Sequence, residues 1–234
     1  MTTLETLQQE NKTLKTELAS LRSRLASWTL LGDLITRVSA TLETTQIGAA
    51  LLEIVWQLTG AECNALWFHP NPNSNRWDYL IGPEGGQYQW LPRELGSSPV
   101  SETAETGKAF LWREGDDRPA PEGVHAYIAL PLTVENRVIA VLEVYNVPVP
   151  DHMAEYVDTL RPALPPVALA LHNAQLYHLT IEQNQHLEAR VAERTTQIEA
   201  QQEEDVALFC HLSGFSPLLY NRLMQVFPDI VESE

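Results

Sequence analysis

The sequence predicts an α+β fold: an antiparallel sheet with helices grouped on one side, flanked at both ends by coiled-coil helices. Three observations carry this reading. Heptad-spaced apolar residues fill the first thirty positions, several short apolar runs separated by turn residues occupy the middle, and a long polar stretch with sparse apolar positions follows.

The amino-terminal heptad is well defined. Leu4, Asn11, Leu18 and Leu25 take the a positions, and Leu7, Leu14, Leu21 and Trp28 take d, so only Asn11 interrupts the seam. A polar residue at an a position is best satisfied by its symmetry mate in an in-register, two-stranded pair. Glu10 and Glu17 fall at g, and Lys15 and Arg22 at the following e, which attract each other across the seam when the helices run parallel. A parallel homodimer through residues 1–29 is the favoured reading. The alternative is an amphipathic helix lying on its own domain, but such a helix shows a broader apolar face than two positions in seven.

The 234 residues leave room for one domain of about 130 residues between the extended helices. With 15 Lys and Arg against 31 Asp and Glu, the formal charge of −16 argues against a nucleic-acid surface. No stretch approaches the roughly 20 apolar residues that span a bilayer, and residues 1–28 lack the basic start and apolar run of a signal peptide, so membrane insertion is not expected and a cytoplasmic location is. Cys63 and Cys210 are far apart without CxxC spacing, and the seven His form no HxxxH pair, so no metal site is expected.

The elements follow in order. Leu30, Leu31, Leu34, Ile35 and Val38 continue the first helix to a break near Glu43–Thr45. Thr44 or Thr45 is the expected cap of a second helix, Gln46–Thr59, with Gly60 as its stop. Cys63–His69 and Trp77–Ile81 read as a hairpin around the turn-forming run of residues 70–75. Gly82–Ser98 reads as loop with a short strand at Gln87–Leu91; a capped helix over 101–107 and a strand at Ala109–Arg113 follow. Tyr127–Val134 alternates around Ile128, Leu130 and Leu132. Val138–Tyr145 is a nearly continuous apolar run of the kind a central strand needs, and the three-residue link Glu135–Arg137 makes the pair antiparallel. Pro162, Pro165 and Pro166 predict a helix break before the next helix.

Ala129-Leu130-Pro131-Leu132, followed by Val138-Ile139-Ala140-Val141-Leu142-Glu143-Val144-Tyr145-Asn146, resembles the "PL" and "IGVL" strands of GAF domains. Val167–Tyr177 is similar to their exit helix, Leu31–Thr59 to their two opening helices, and Ala61–Phe68 to their first strand. The resemblance covers residues 30–177. It implies a six-stranded antiparallel sheet, a helical layer, and a ligand pocket on the opposite face. The family's ligands include cyclic nucleotides, bilins, haem and small metabolites. Val147 stands where the cyclic-nucleotide signature has Lys, and residues 96–126 hold no Cys to attach a bilin, so the cofactor stays unassigned. Trp67, Tyr127 and Tyr145, on strand faces opposite the aliphatic ones, are the candidate pocket residues, with core packing as their competing role.

Residues 178–204 resemble the "LEARVAERT" signalling helix that joins bacterial sensor domains to output domains. Its seam of Leu187, Val191, Arg194 and Ile198 is thinner than the first, which suits a switchable register. In the tail, 205–234, Leu208–Leu218 resembles the opening strand of class III nucleotidyl cyclases, with His211 in place of the metal-holding Asp; a histidine-kinase phosphoacceptor box is a poorer match at the same His211. A plain amphipathic helix, Pro217–Val231, is the preferred reading. There is no GxSxG elbow, no phosphate-binding Gly loop and no paired-acid constellation, so catalysis is not expected. The chain reads as a dimeric sensory module that acts on a downstream signalling protein, or as the sensory half of a cyclase or histidine kinase.

Overall fold

The computed structural model describes residues 2–71, 76–81, 88–96, 98–118, 123–213, 216, 218–219, 222 and 225, with the side chains of 2–8, 23, 209–210 and 212–213 outside this set. It divides into two units, 1–178 and 179–234.

Helix α1 runs unbroken over Thr2–Ser39. Its last three turns bury Leu31, Leu34 and Val38, whereas Leu14, Leu18, Leu21, Leu25 and Trp28 stand exposed. The same helix therefore serves the domain core at one end and presents the heptad seam at the other. Leu4 and Leu7 have side chains outside the described residues. Helix α2 covers Thr44–Thr59 and buries Ile47, Leu51, Ile54 and Val55. Neither threonine caps it. Glu43 occupies the cap position in extended conformation, and its N–H donates instead to the hydroxyl of Thr41 at 3.1 Å. Gly60 ends the helix in the left-handed region, φ 62°, and its N–H closes on the Trp56 carbonyl at 2.8 Å.

Six strands follow: β1 (Cys63–Phe68), β2 (Trp77–Ile81), β3 (Leu91–Arg93), β4 (Phe110–Arg113), β5 (Ala126–Val134) and β6 (Arg137–Tyr145). They form one antiparallel sheet in the order β3-β2-β1-β6-β5-β4. Strand β3 lies later than Gln87–Leu91, because the residues that pair with Tyr79, Asp78 and Trp77 are Leu91, Pro92 and Arg93. Pro92 is tolerated there because β3 is an edge. Glu135 and Asn136, φ 50° and 65°, make the two-residue turn between β5 and β6.

Between β3 and β4, helix α3 (Pro99–Thr106) starts two residues earlier than residue 101. Ser101 acts from inside it, its hydroxyl accepting the Ser98 N–H at 3.1 Å, and Pro99 occupies the first turn, where a missing N–H costs nothing. After β6, helix α4 (Met153–Leu160) ends where a short turn takes over, and α5 runs over Leu164–Ser213 with Pro165 and Pro166 in its first turn. The proline break is thus real but short, and the exit and signalling helices are one helix. Leu208–Ser213 is its final stretch, helical rather than the strand a cyclase start requires; Pro217 and most of the tail helix expected up to Val231 lie outside the described residues.

Two cores result, one on each face of the sheet. The larger joins α1, α2, α4 and the start of α5 to Leu66, Leu80, Leu130 and Leu142. The other, under α3, is mostly aromatic. No helix among the described residues is long and apolar enough to cross a membrane.

Gly60 gives a direct check of the α2–β1 corner. A side chain at its positive φ costs about 1–2 kcal/mol, so Gly60→Ala lowers stability by that amount in urea unfolding, with an unchanged m-value. A neutral substitution would contradict the conformation assigned to it.

Candidate functional site

Strand alternation fixes what meets on the aromatic face. Glu143 lies opposite Ala65 on β1 and opposite Ala129 on β5. Two small residues flank this long one, and the neighbouring aromatic side chains converge on its carboxylate. Trp67 Nε1 donates to Glu143 Oε2 at 2.5 Å, and the Tyr127 hydroxyl donates to Oε1 at 2.5 Å. Tyr145 adds a third hydrogen bond to the carboxylate, and its hydroxyl is also bonded to that of Tyr79. The three candidate pocket residues thus meet, at Glu143, which is not among the candidates.

Glu143 is only 4 % exposed. Burial pushes its carboxyl above the ordinary glutamate range, opposed by the hydrogen bonds from Tyr127, Trp67 and Tyr145 and by the charge of Arg93. Burial, then the adjacent Glu143 charge, also raises the tyrosines: Tyr79 to about 12, Tyr127 and Tyr145 higher still. The hydroxyls therefore stay protonated and serve as donors, and Glu143 as an acceptor. Each such bond to a charged group contributes about 1.5–3 kcal/mol, which offsets part of a desolvation cost of several kcal/mol.

The walls are stacked rings. Trp67 and Tyr79 lie 4.7 Å apart, Tyr127 and Tyr145 5.2 Å, and Phe110 stands edge-on to Tyr127 at 6.0 Å. Arg93, exposed on β3, places its guanidinium 5.0 Å above the Tyr79 ring and 5.6 Å above Trp67. Helix α3 covers the face with Val100 and Thr103, and the fully buried Thr103 hydroxyl has no hydrogen-bond partner among the described residues. Asn146 is committed to the fold: its N–H donates to Ala126 O, its Oδ1 accepts the His125 N–H, and its Nδ2 donates to Glu62. No group of three or more His, Cys, Asp or Glu among the described residues could hold a metal ion.

The site connects to the exit helix. Trp67 is two residues from His69, whose ring stacks on Trp77 at 4.9 Å. The buried Gln175 of α5 donates through Nε2 to the carbonyls of His69 and Pro70, at 2.7 and 2.8 Å.

The family model described as GAF domain matches residues 43–161, just over half of the chain. The chain belongs to the GAF family. Its fold agrees: the GAF domain of an Acinetobacter phosphoenolpyruvate-protein phosphotransferase superposes with a TM-score of 0.52 at 11% identity, covering 64% of this chain and 94% of that one. The A. aeolicus nlh2 GAF domain, in an inactive state, gives 0.52 at 10%, covering 64% and 98%. Residues 122 to 287 of a methyl-accepting chemotaxis protein give 0.51 at 12%, covering 63% and 99%. At these identities the likeness is one of fold. No curated protein sequence matches the chain. GAF domains are generally sensory and signalling modules, and the expected GAF architecture is present here in its six-stranded sheet and helical layer.

Glu143 could have been found as the single charge in the run Val138–Tyr145. Its proton linkage is measurable. With a raised folded value, its contribution to stability is full below the unfolded pKa of about 4.3 and is lost as pH rises through the folded value. The stability of the native chain relative to Glu143→Gln therefore falls as pH is raised from acid toward neutral. A relative stability that stays flat or rises in thermal unfolding across that range would refute the raised value.

Proposed function

We propose that this GAF chain is a non-catalytic, dimeric sensory or adaptor module of the bacterial cytoplasm. In this reading a small ligand engages the Glu143 site, with Trp67, Tyr127 and Tyr145 as its lining, and the occupied state is relayed through α5 to a partner signalling protein. The observation that carries the reading is the bonded path from the site to the helix: Glu143 to Trp67, along β1 to His69, and from its carbonyl to Gln175. A ligand that disturbs the Trp67 bond shifts the end of β1, and the exit helix is fastened to that end.

The dimer part rests on the seam. Leu14, Leu18, Leu21 and Leu25 are 48–69 % exposed in the isolated protomer, a continuous apolar stripe with flanking Glu and Lys or Arg placed for parallel pairing. Asn11 lies on the same stripe and is exposed, as are Leu187, Val191 and Ile198 on α5. In the dimer the first seam is the constitutive clamp and the thinner second one the part that changes register.

Two experiments test this. Thermal-shift and native mass spectrometry against nucleotides, tetrapyrroles and metabolites should find a stabilising ligand whose effect is lost in Trp67→Phe; no stabilisation by any class at millimolar concentration would overturn the sensory reading. In sedimentation, Leu18→Glu with Leu21→Glu should weaken the dimer on the order of 100-fold or more, because unpaired carboxylates buried in the seam cost several kcal/mol. A wild-type chain that sediments as a monomer at micromolar concentration would dispose of the clamp.

A further inference from the structure

The charge on Glu143 is left unbalanced by its own hydrogen bonds. Trp67, Tyr127 and Tyr145 are neutral donors, and a buried carboxylate without a cation is a costly arrangement. The cation placed over this face is Arg93, its guanidinium 5.0 Å from the Tyr79 ring and 5.6 Å from that of Trp67, and its charge opposes the upward shift of the Glu143 carboxyl. Arg93 is delivered by β3, a three-residue edge strand whose residues are all exposed, and it lies over the rings of Trp67 and Tyr79 without an ion pair to the carboxylate among the described contacts. The positive charge described over this face is therefore an exposed side chain on the shortest strand of the sheet. On α3, which packs over the same face, the Thr103 hydroxyl is fully buried and has no partner among the described residues. An aromatic-walled site with a carboxylate at its floor, an unsatisfied hydroxyl in its roof and a surface guanidinium over its rings has the chemistry of a cation receptor.

We propose that this face binds a small organic cation, an ammonium or guanidinium group on a compact apolar body, which displaces Arg93 from Trp67 and Tyr79 and neutralises Glu143, while Arg93 is the internal competitor that occupies the rings when the ligand is absent. The proposal rests on the sensory reading above and supplies the ligand's chemical class. Charge selects the class: an anionic ligand would face Glu143 directly, and a neutral one would remove Arg93 from the rings without replacing its charge. Exchange of one cation for another keeps the buried charge balanced throughout. It also frees β3 from the ring stack of β1 and β2, so occupancy alters the strand that leads to His69 and Gln175.

The test is calorimetry and tryptophan fluorescence on the full chain, with tetramethylammonium, choline and guanidinium as cations and 3,3-dimethyl-1-butanol as the uncharged isostere of choline. Choline should bind at least about tenfold more tightly than the isostere, the scale that one desolvated cation–π contact supports. Arg93→Gln should tighten choline binding by about tenfold, since it removes the competitor. Glu143→Gln should weaken the cations by about tenfold or more and leave the isostere unchanged. If Glu143→Gln does not fold, the choline-to-isostere ratio in the native chain and in Arg93→Gln, a surface change, decides the matter. Equal binding of choline and its isostere, an Arg93→Gln affinity that does not rise, or no cation binding by either chain at millimolar concentration each overturns the proposal. A neutral or anionic ligand found in the broader screen, with no cation bound, overturns the cation class and leaves the sensory reading standing; stabilisation by no compound of any class overturns both.

Discussion

The carboxylate of Glu143 is the constraint around which the aromatic face of the sheet is organised. It sits at the centre of the sheet on β6, and its two oxygens take hydrogen bonds from β1 through Trp67 and from β5 through Tyr127. Three adjacent strands are thus tied by side chains in addition to their backbone ladders. Leaving such a group buried without its donors would cost several kcal/mol, so the positions of Trp67, Tyr127 and Tyr145 are dictated by it. The alanines at 65 and 129 belong to the same arrangement, because a larger residue directly opposite Glu143 on either strand would occupy the space into which these donors converge.

The opposite face obeys a different rule. There the packing is aliphatic, with Leu66, Leu130 and Leu142 meeting α1, α2 and α5, and the buried Asn64 donates to the Leu52 carbonyl at 2.9 Å. One face is an apolar core that holds the helices in place, and the other is a polar network walled by aromatic rings and covered by α3. Gln175 links the two, since it belongs to a helix of the first face yet bonds the backbone that leaves the second at His69 and Pro70. That single side chain is the hydrogen-bonded contact between the end of the strand that carries Trp67 and the exit helix.

Much of the fold was legible because it is governed by local rules. Heptad spacing gave α1, the left-handed Gly60 gave the end of α2, and the short link at Glu135–Arg137 gave the antiparallel β5–β6 pair. The resemblance of Leu208–Leu218 to a cyclase opening strand does not carry into the fold: a short apolar run such as Leu208-Phe209-Cys210 satisfies strand and helix equally, and the long helix before it decides the outcome. The site was half legible. Aromatic residues on alternating strand positions mark a face, so Trp67, Tyr127 and Tyr145 could be named. Their convergence on Glu143 depends on cross-strand register, which no single strand encodes, and Glu143 itself is hidden in a run whose apolar neighbours dominate the pattern. Arg93 and Thr103 were illegible for the same reason, as both act from separate elements folded over that face.

The claim on which all of this depends is that Glu143 is mechanically connected to the exit helix. Hydrogen–deuterium exchange of the native chain against Glu143→Gln tests it without knowledge of any ligand. The connection predicts faster exchange in β1, β5 and β6 and also in α5 around Gln175, with α2 unchanged. Acceleration confined to the strands that flank residue 143, with α5 as protected as before, would contradict it.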